Sequence, residues 1–185
     1  MLDENLHWIL SFYRTSEISG ALFFGELAKR LKPSSIQADM TRHFADEANH
    51  ARYWTDCLAK LGAEPLKLGD AYQDQYLAKA GMPCNLMEVL AITHVFEKRV
   101  VSQYSLHKHS PETPTVVVDT LANIMFDERW HIEWVSKALD DMAEEYGADE
   151  VQATLRRYTE ADREVYQHMI TEHTDRLKDV RLAAR

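Results

Sequence analysis

The chain has 185 residues and a formal net charge of −9, from 30 acidic and 21 basic side chains, which argues against a broad nucleic-acid surface. Few Gly (6) and Pro (5) beside many Leu, Ala and charged residues suit an all-α protein in one domain, 1–185. No run approaches the roughly 18 apolar residues of a membrane helix, and Met1-Leu2-Asp3-Glu4-Asn5 lacks the basic start of a signal peptide, so no membrane span and a cytoplasmic location are expected.

In chain order, the first helix is predicted over about Asp3–Leu31, where Leu6, Ile9, Leu10, Tyr13, Glu17, Ala21 and Phe24 recur at three- and four-residue steps. Ser34-Ser35-Ile36-Gln37 reads as a capping box opening a second helix that closes at Gly62. Residues 63–83 form a long crossover, with room for one short helix near Ala71–Lys79. Asn85-Leu86-Met87-Glu88 caps the third long helix, which runs to about His109. The fourth starts at Ser110-Pro111 or Thr113-Pro114, with proline at the first helical position in either case, and ends near Tyr146-Gly147. A fifth, charged and amphipathic, spans about Asp149–Val180 and carries Leu155, Tyr158, Val165, Met169 and Leu177 on its apolar side. The layout is thus a 1–146 four-helix bundle with a long crossover between helices two and three, followed by a C-terminal helix in 147–185. The apolar side of the last helix is expected to pack against the bundle or a second subunit, and because that bundle would close its own core, a homodimer is the favoured arrangement.

Two copies of D-E-x-x-H stand out, Asp46-Glu47-Ala48-Asn49-His50 and Asp127-Glu128-Arg129-Trp130-His131. Residues three apart share a helix face, so each Glu–His pair can grip one ion. Glu17 precedes Glu47 by 30 residues and Glu97 precedes Glu128 by 31. In a helical hairpin, residues equidistant from the turn sit at the same height. The midpoint of Glu17 and Glu47 is Lys32, beside Pro33, and that of Glu97 and Glu128 falls at Glu112-Thr113, between Pro111 and Pro114. Both midpoints land on breaks, about 22 Å of helix from each glutamate. Two such hairpins bring four Glu and two His to one level of the core, the ligand inventory of a di-iron or di-manganese carboxylate site.

The surroundings favour ligands over solvated charges. Phe44, Ala51, Tyr53 and Trp54 crowd the first motif, and Trp130, Ile132 and Trp134 the second; carboxylates among such bulk are costly to bury unless coordinated. Glu17, with Gly20 and Ala21 on its face, is preferred to Glu26, which lies half a turn out of phase beside Lys29 and Arg30. Glu97 is preferred to Glu88, which belongs to the cap. Asp46 and Asp127 read as acceptors for the outer N–H of metal-bound histidines. His43 and His94 read as core or hydrogen-bonding histidines rather than third nitrogen ligands, and Tyr13 as a packed core tyrosine. Cys57 and Cys84 form no C-x-x-C pair and read as reduced structural thiols.

Glu17, Glu47, His50, Glu97, Glu128 and His131 resemble the ligand set of the ferritin-like di-iron carboxylate superfamily, which includes bacterioferritins, rubrerythrins, demethoxyubiquinone hydroxylases, tRNA-modifying hydroxylases and multicomponent monooxygenases. The resemblance covers residues 1 to about 146. It implies two Fe ions (Mn/Fe or Mn2 suit the same residue types), bridged by Glu47 and Glu128, with Glu17 and His50 completing one and Glu97 and His131 the other. The D-E-x-x-H form resembles oxygen-activating members. The chain departs from rubrerythrins in lacking a C-x-x-C module, and from bacterioferritins in having Ala48 where they place a haem methionine. It shows no apolar membrane patch like that of demethoxyubiquinone hydroxylases.

These features imply an oxidoreductase that activates O2 to oxidise or hydroxylate a small organic or acyl substrate. Electrons would come from a separate reductase or donor protein, since no flavin or dinucleotide fingerprint is present. Two other readings use the same residues: a rubrerythrin-like peroxidase or ferroxidase, acting on H2O2 or O2, and a non-catalytic metal-binding helical interaction protein. An organic-substrate enzyme would show a cavity reaching the metals, lined by residues such as Phe24, Tyr53, Phe96 and Trp130. A ferroxidase would show a narrow polar entry, and an interaction protein a closed site.

Overall fold

The computed structural model describes residues 2–69, 72–173 and 175–176. Among these residues the chain is helical and has no strand: α1 (Glu4–Arg30), α2 (Ser35–Lys60), α3 (Tyr72–Ala80), α4 (Leu86–Lys108), α5 (Thr115–Tyr146) and α6 (Ala148–Glu172). Ala71 and Leu177, both assigned to helices from the sequence, lie outside the described residues.

The helix ends follow local chemistry. Asp3 caps α1 by accepting from the Asn5 and Leu6 amides, and Lys29 and Arg30 lie in its last turn, facing the negative end of the helix dipole. Ser34 accepts from the Gln37 amide, but Gln37 reaches back to the Ala28 carbonyl of α1 instead of closing the box, so it ties the hairpin together. Asn85 accepts from the Glu88 amide, while Glu88 accepts from the Cys84 amide and from Arg157 of α6. Pro114 is the cap of α5, one position earlier than the first helical position expected for it; its extended ψ of 145° keeps it outside the helix. Gly147, at φ 88°, separates α5 from α6 in a conformation that a side chain would strain.

Packing runs from α1 to α2, from α2 to α5 and from α5 to α4. The fourth seam is different. No Cα of α1 comes within 8 Å of a Cα of α4 among the described residues, and α3 lies over that gap, touching α1 and α6. Helix α6 covers α4 and α5 of its own chain, burying Val151, Tyr158, Val165 and Met169, with Leu155 partly covered. Its apolar stripe, the reason for expecting a second subunit, is therefore occupied within one chain. Three contacts pin α3 to α6: the Tyr72 hydroxyl donates to Asp162 (2.7 Å), the Tyr76 hydroxyl donates to the Tyr158 carbonyl (2.9 Å), and Lys79 pairs with Glu164 (2.6 Å). No helix among the described residues is long and apolar enough to cross a membrane.

Candidate metal centre

Glu17 of α1, Glu47 and His50 of α2, Glu97 of α4, and Glu128 and His131 of α5 meet in the middle of the bundle, and none is more than 5% exposed. Their side chains form two groups that could each hold an ion: Glu17, Glu47, His50 and Glu128, and His43, Glu47, Glu97 and His131. Glu47 belongs to both. Glu128 also spans them, with Oε1 3.3 Å from His50 Nδ1 and Oε2 3.0 Å from His131 Nδ1. His50 Nδ1, Glu128 Oε1 and His43 Nε2 are buried and make no hydrogen bond, whereas His131 Nδ1 and Glu128 Oε2 bond to each other. Atoms that converge on one space without bonding to each other are placed as ligands are.

The other atoms of these groups are tied outwards. Tyr104 donates a short hydrogen bond to Glu17 Oε1 and Trp54 Nε1 lies 3.4 Å from the same oxygen, which leaves Oε2 turned towards His50 Nδ1 at 3.8 Å. His50 Nε2 lies 3.4 Å from Asp127 Oδ2, and His131 Nε2 lies 3.4 Å from Asp46 Oδ2. Each aspartate thus serves the histidine of the other motif, a crossed arrangement that a motif read along the chain does not reveal. Gly20, on the same helix as Glu17, makes room for Glu47. A Cβ on Gly20 would stand 2.6 Å from Glu47 Oε2, so only glycine there lets the carboxylate lie in this position.

His43 is nearer the centre than its sequence context suggested. Its Nε2 is 3.0 Å from Glu97 Oε1 and 3.4 Å from Glu47 Oε1, and its ring stacks on His131 at 3.7 Å. Trp134 Nε1–H donates to His43 Nδ1 (3.3 Å), so in the neutral ring the proton sits on Nε2, facing Glu97. That tautomer turns an N–H towards the carboxylates, although Nε2 closes no hydrogen bond with them, and sets His43 apart from His50 and His131, whose Nδ1 atoms face the centre. His94, by contrast, lies outside the cluster, with Nδ1 3.3 Å from the Ser136 hydroxyl. Tyr13 packs against Trp54, Tyr104 and His107 in the core.

Proton affinities reflect four carboxylates and three histidines held together in the core. Burial, then the charges of Glu17, Glu97 and Glu128, pushes Glu47 well above the usual carboxylate range, and burial beside Glu97 raises Glu128 to about 7. Glu97 goes the other way: burial opposes its charge, but His43 and His131 hold it well below its ordinary value. Burial would lower His131, yet its bonds to Asp46 and Glu128 push it up to about 12, and His50 rises for like reasons beside Asp127 and Glu128. Glu17, like Glu97, is lowered despite burial, by His50 and Tyr104, so protons gather on Glu47, Glu128 and the two histidines. Two divalent ions would cancel the four carboxylate charges and leave both histidines neutral, the form in which imidazole binds metal.

No protein-family model, curated protein or solved structure matches this chain. The reading of the centre therefore stands on its own residues.

On one side the centre opens. A cavity of about 160 Å³ reaches Glu17, Glu47, Glu97 and Glu128 but none of the histidines, and its other walls include Phe23, Phe24, Leu77, Ile92, Phe96 and Val100. It occupies the parted seam between α1 and α4, under Tyr76 and Leu77 of α3. Phe24 and Phe96 line it as expected from the sequence. Tyr53 and Trp130 do not, because their rings lie under the guanidinium groups of Arg52 and Arg42.

Proposed function

We propose that this chain is a ferritin-like di-iron carboxylate oxidoreductase that activates O2 to oxidise or hydroxylate a small organic substrate. The observation that carries the proposal is the one-sided cavity: the carboxylate face of the centre borders an apolar chamber, while the histidine face is closed by Asp46 and Asp127. A peroxidase or ferroxidase, whose substrate is H2O2 or O2 and iron, has no use for a chamber walled by Phe23, Phe24, Ile92 and Phe96. A saturated structural site has no use for an open face.

In this proposal Glu17, Glu47 and Glu128 with His50 hold one ion, and Glu47, Glu97 and Glu128 with His131 hold the other. Iron at these positions would supply the electrons and open coordination sites that O2 needs, with re-reduction by a separate donor protein. The chain's own residues do the rest. Asp46 and Asp127 fix the ring orientation and the tautomer of the two ligand histidines. Tyr104 and Trp54 hold Glu17 to one donor oxygen. His43 presents an N–H to Glu97, where it can follow a change in that carboxylate's charge. The apolar walls exclude water and leave the substrate next to the carboxylate face.

The test is anaerobic loading with Fe(II), then exposure to O2 while iron content, Mössbauer spectra and O2 uptake are followed, with and without H2O2 as the alternative oxidant. Two irons per chain and O2 uptake coupled to oxidation of an added organic molecule are expected. Turnover of H2O2 with no coupled organic product would establish the peroxidase instead. Metal content in Glu47→Ala and Glu128→Ala is expected to fall by more than half, and near-normal occupancy in both would remove the centre altogether.

A further inference from the structure

The chamber beside the carboxylates does not end there. A second, smaller cavity of about 50 Å³ shares Ser16, Phe96, Val100 and Tyr104 with it and continues along α1 and α4 towards α6. From Ile92 to Gln103 the two cavities follow α4 for about 16 Å. Phe12, Tyr72 and Met169 wall the far part. Its polar side chains are already engaged: Arg99 pairs with Asp162 through Nε (3.0 Å) and Nη2 and stacks over Tyr166, whose hydroxyl donates to Gln103 Oε1 (2.7 Å). The slot is therefore long, narrow at its far end, and offers no uncompensated cation at that end.

We infer that the paired cavities form one slot for an unbranched aliphatic chain of about eight carbons, lying with one segment against the carboxylate face and an uncharged end between α4 and α6. The length follows from volume. A chamber of about 150 Å³ takes a benzene-sized molecule, six carbons, and the smaller cavity adds room for about two more. Linearity follows from the shared walls, since the way from the first chamber to the smaller second one runs between Ser16 of α1 and Phe96, Val100 and Tyr104 of α4, which suits a single chain better than a branched or fused-ring molecule. Lack of charge at the far end follows from the Arg99–Asp162 pair, which leaves an anionic group there without a partner in an apolar enclosure. This inference rests on the oxidoreductase reading for its chemistry, but binding can be tested without it.

The experiment titrates the zinc-loaded protein, which binds without redox chemistry, with n-alkanols from butanol to decanol, using calorimetry. Affinity is expected to rise about fourfold per methylene, as buried CH2 groups dictate, and to level off near eight carbons. Met169→Phe fills the far cavity only, and is expected to shorten the break point by about two carbons while butanol binds as before; Phe12→Trp, from the α1 side, does the same if the first variant does not fold. n-Alkane-α,ω-dioates of equal length, which must carry one carboxylate into the far cavity, are expected to bind at least tenfold more weakly than the alkanols. A flat series, a break point unmoved in a folded variant, or dioates binding as well as alkanols would overturn the inference. Chain-length-dependent binding without O2 uptake by the iron-loaded protein would keep the slot and remove the oxidoreductase reading. Coupled oxidation of organic molecules with no dependence on chain length would do the reverse.

Discussion

Gly20 and the two aspartates show how single residues shape the centre. Replacing a helical glycine by alanine ordinarily stabilises a helix by about 1 kcal/mol. At Gly20 the new Cβ would strike Glu47 Oε2, so the carboxylate must leave the position it shares between the two ion sites. Gly20→Ala is therefore expected to melt at the same temperature or higher without metal, yet to lose metal affinity; a titration showing two full-affinity sites would refute this. The aspartates act through histidine orientation, and removing such a partner typically costs roughly 10–100-fold in metal affinity. Because the pairs are crossed, Asp127→Asn is expected to couple more strongly with His50→Gln than with His131→Gln in double-mutant cycles. Stronger coupling inside one motif would contradict the geometry. The convergence of Glu17, Glu47, His50, Glu97, Glu128 and His131 was legible from spacing and turn midpoints, because helices convert sequence distance into height. The crossing of the aspartates and the inward place of His43 were not, since both depend on which helices become neighbours.

At the level of elements, the long helices were legible because caps, prolines and periodicity agree at their ends. Their neighbours were harder to read. The charged, amphipathic pattern of α6 says that one face is covered but not by what, and the structure puts α3, α4 and α5 there. Its role then becomes specific: it fastens α3 over the parted seam. Asp162 is the central fastening, 4% exposed, accepting from Tyr72 and from Arg99. Asp162→Ala leaves a guanidinium without its anion. Since Arg99 keeps 27% of its side chain exposed, the cost is expected at roughly 2–3 kcal/mol, below that of a fully buried pair. Hydrogen exchange in α3 is expected to accelerate more than in α2 or α5, because the roof loses its anchor while the site helices keep theirs. Uniform acceleration across the bundle would mean that α3 is not a separately held element.

For the whole molecule, stability is tied to ionisation far from the centre as well as in it. His107 sits at the end of α4, 3% exposed, with Nδ1 3.3 Å from the Tyr13 hydroxyl, and burial lowers its pKa to about 4. In the unfolded chain the same group titrates near the usual value of about 6.5. Between those values the unfolded state binds the proton and the folded state does not, so acid favours unfolding. The contribution is fully present above about pH 6.5 and is lost as pH falls towards 4. Going from pH 7 to pH 5, this one residue is expected to cost about 2 kcal/mol, or roughly 4–8 °C in melting temperature for a domain of this size. The carboxylates of the centre titrate too, so the measurement must isolate His107. Metal-free protein in chelator is compared with His107→Gln by denaturant unfolding at both pH values. The centre's contribution is common to the two proteins, and the difference between their pH slopes belongs to the histidine. The variant is expected to lose about 2 kcal/mol less than the wild type on acidification. Equal slopes would mean that His107 takes up its proton in the folded state, which its burial against Tyr13 at the base of the bundle argues against.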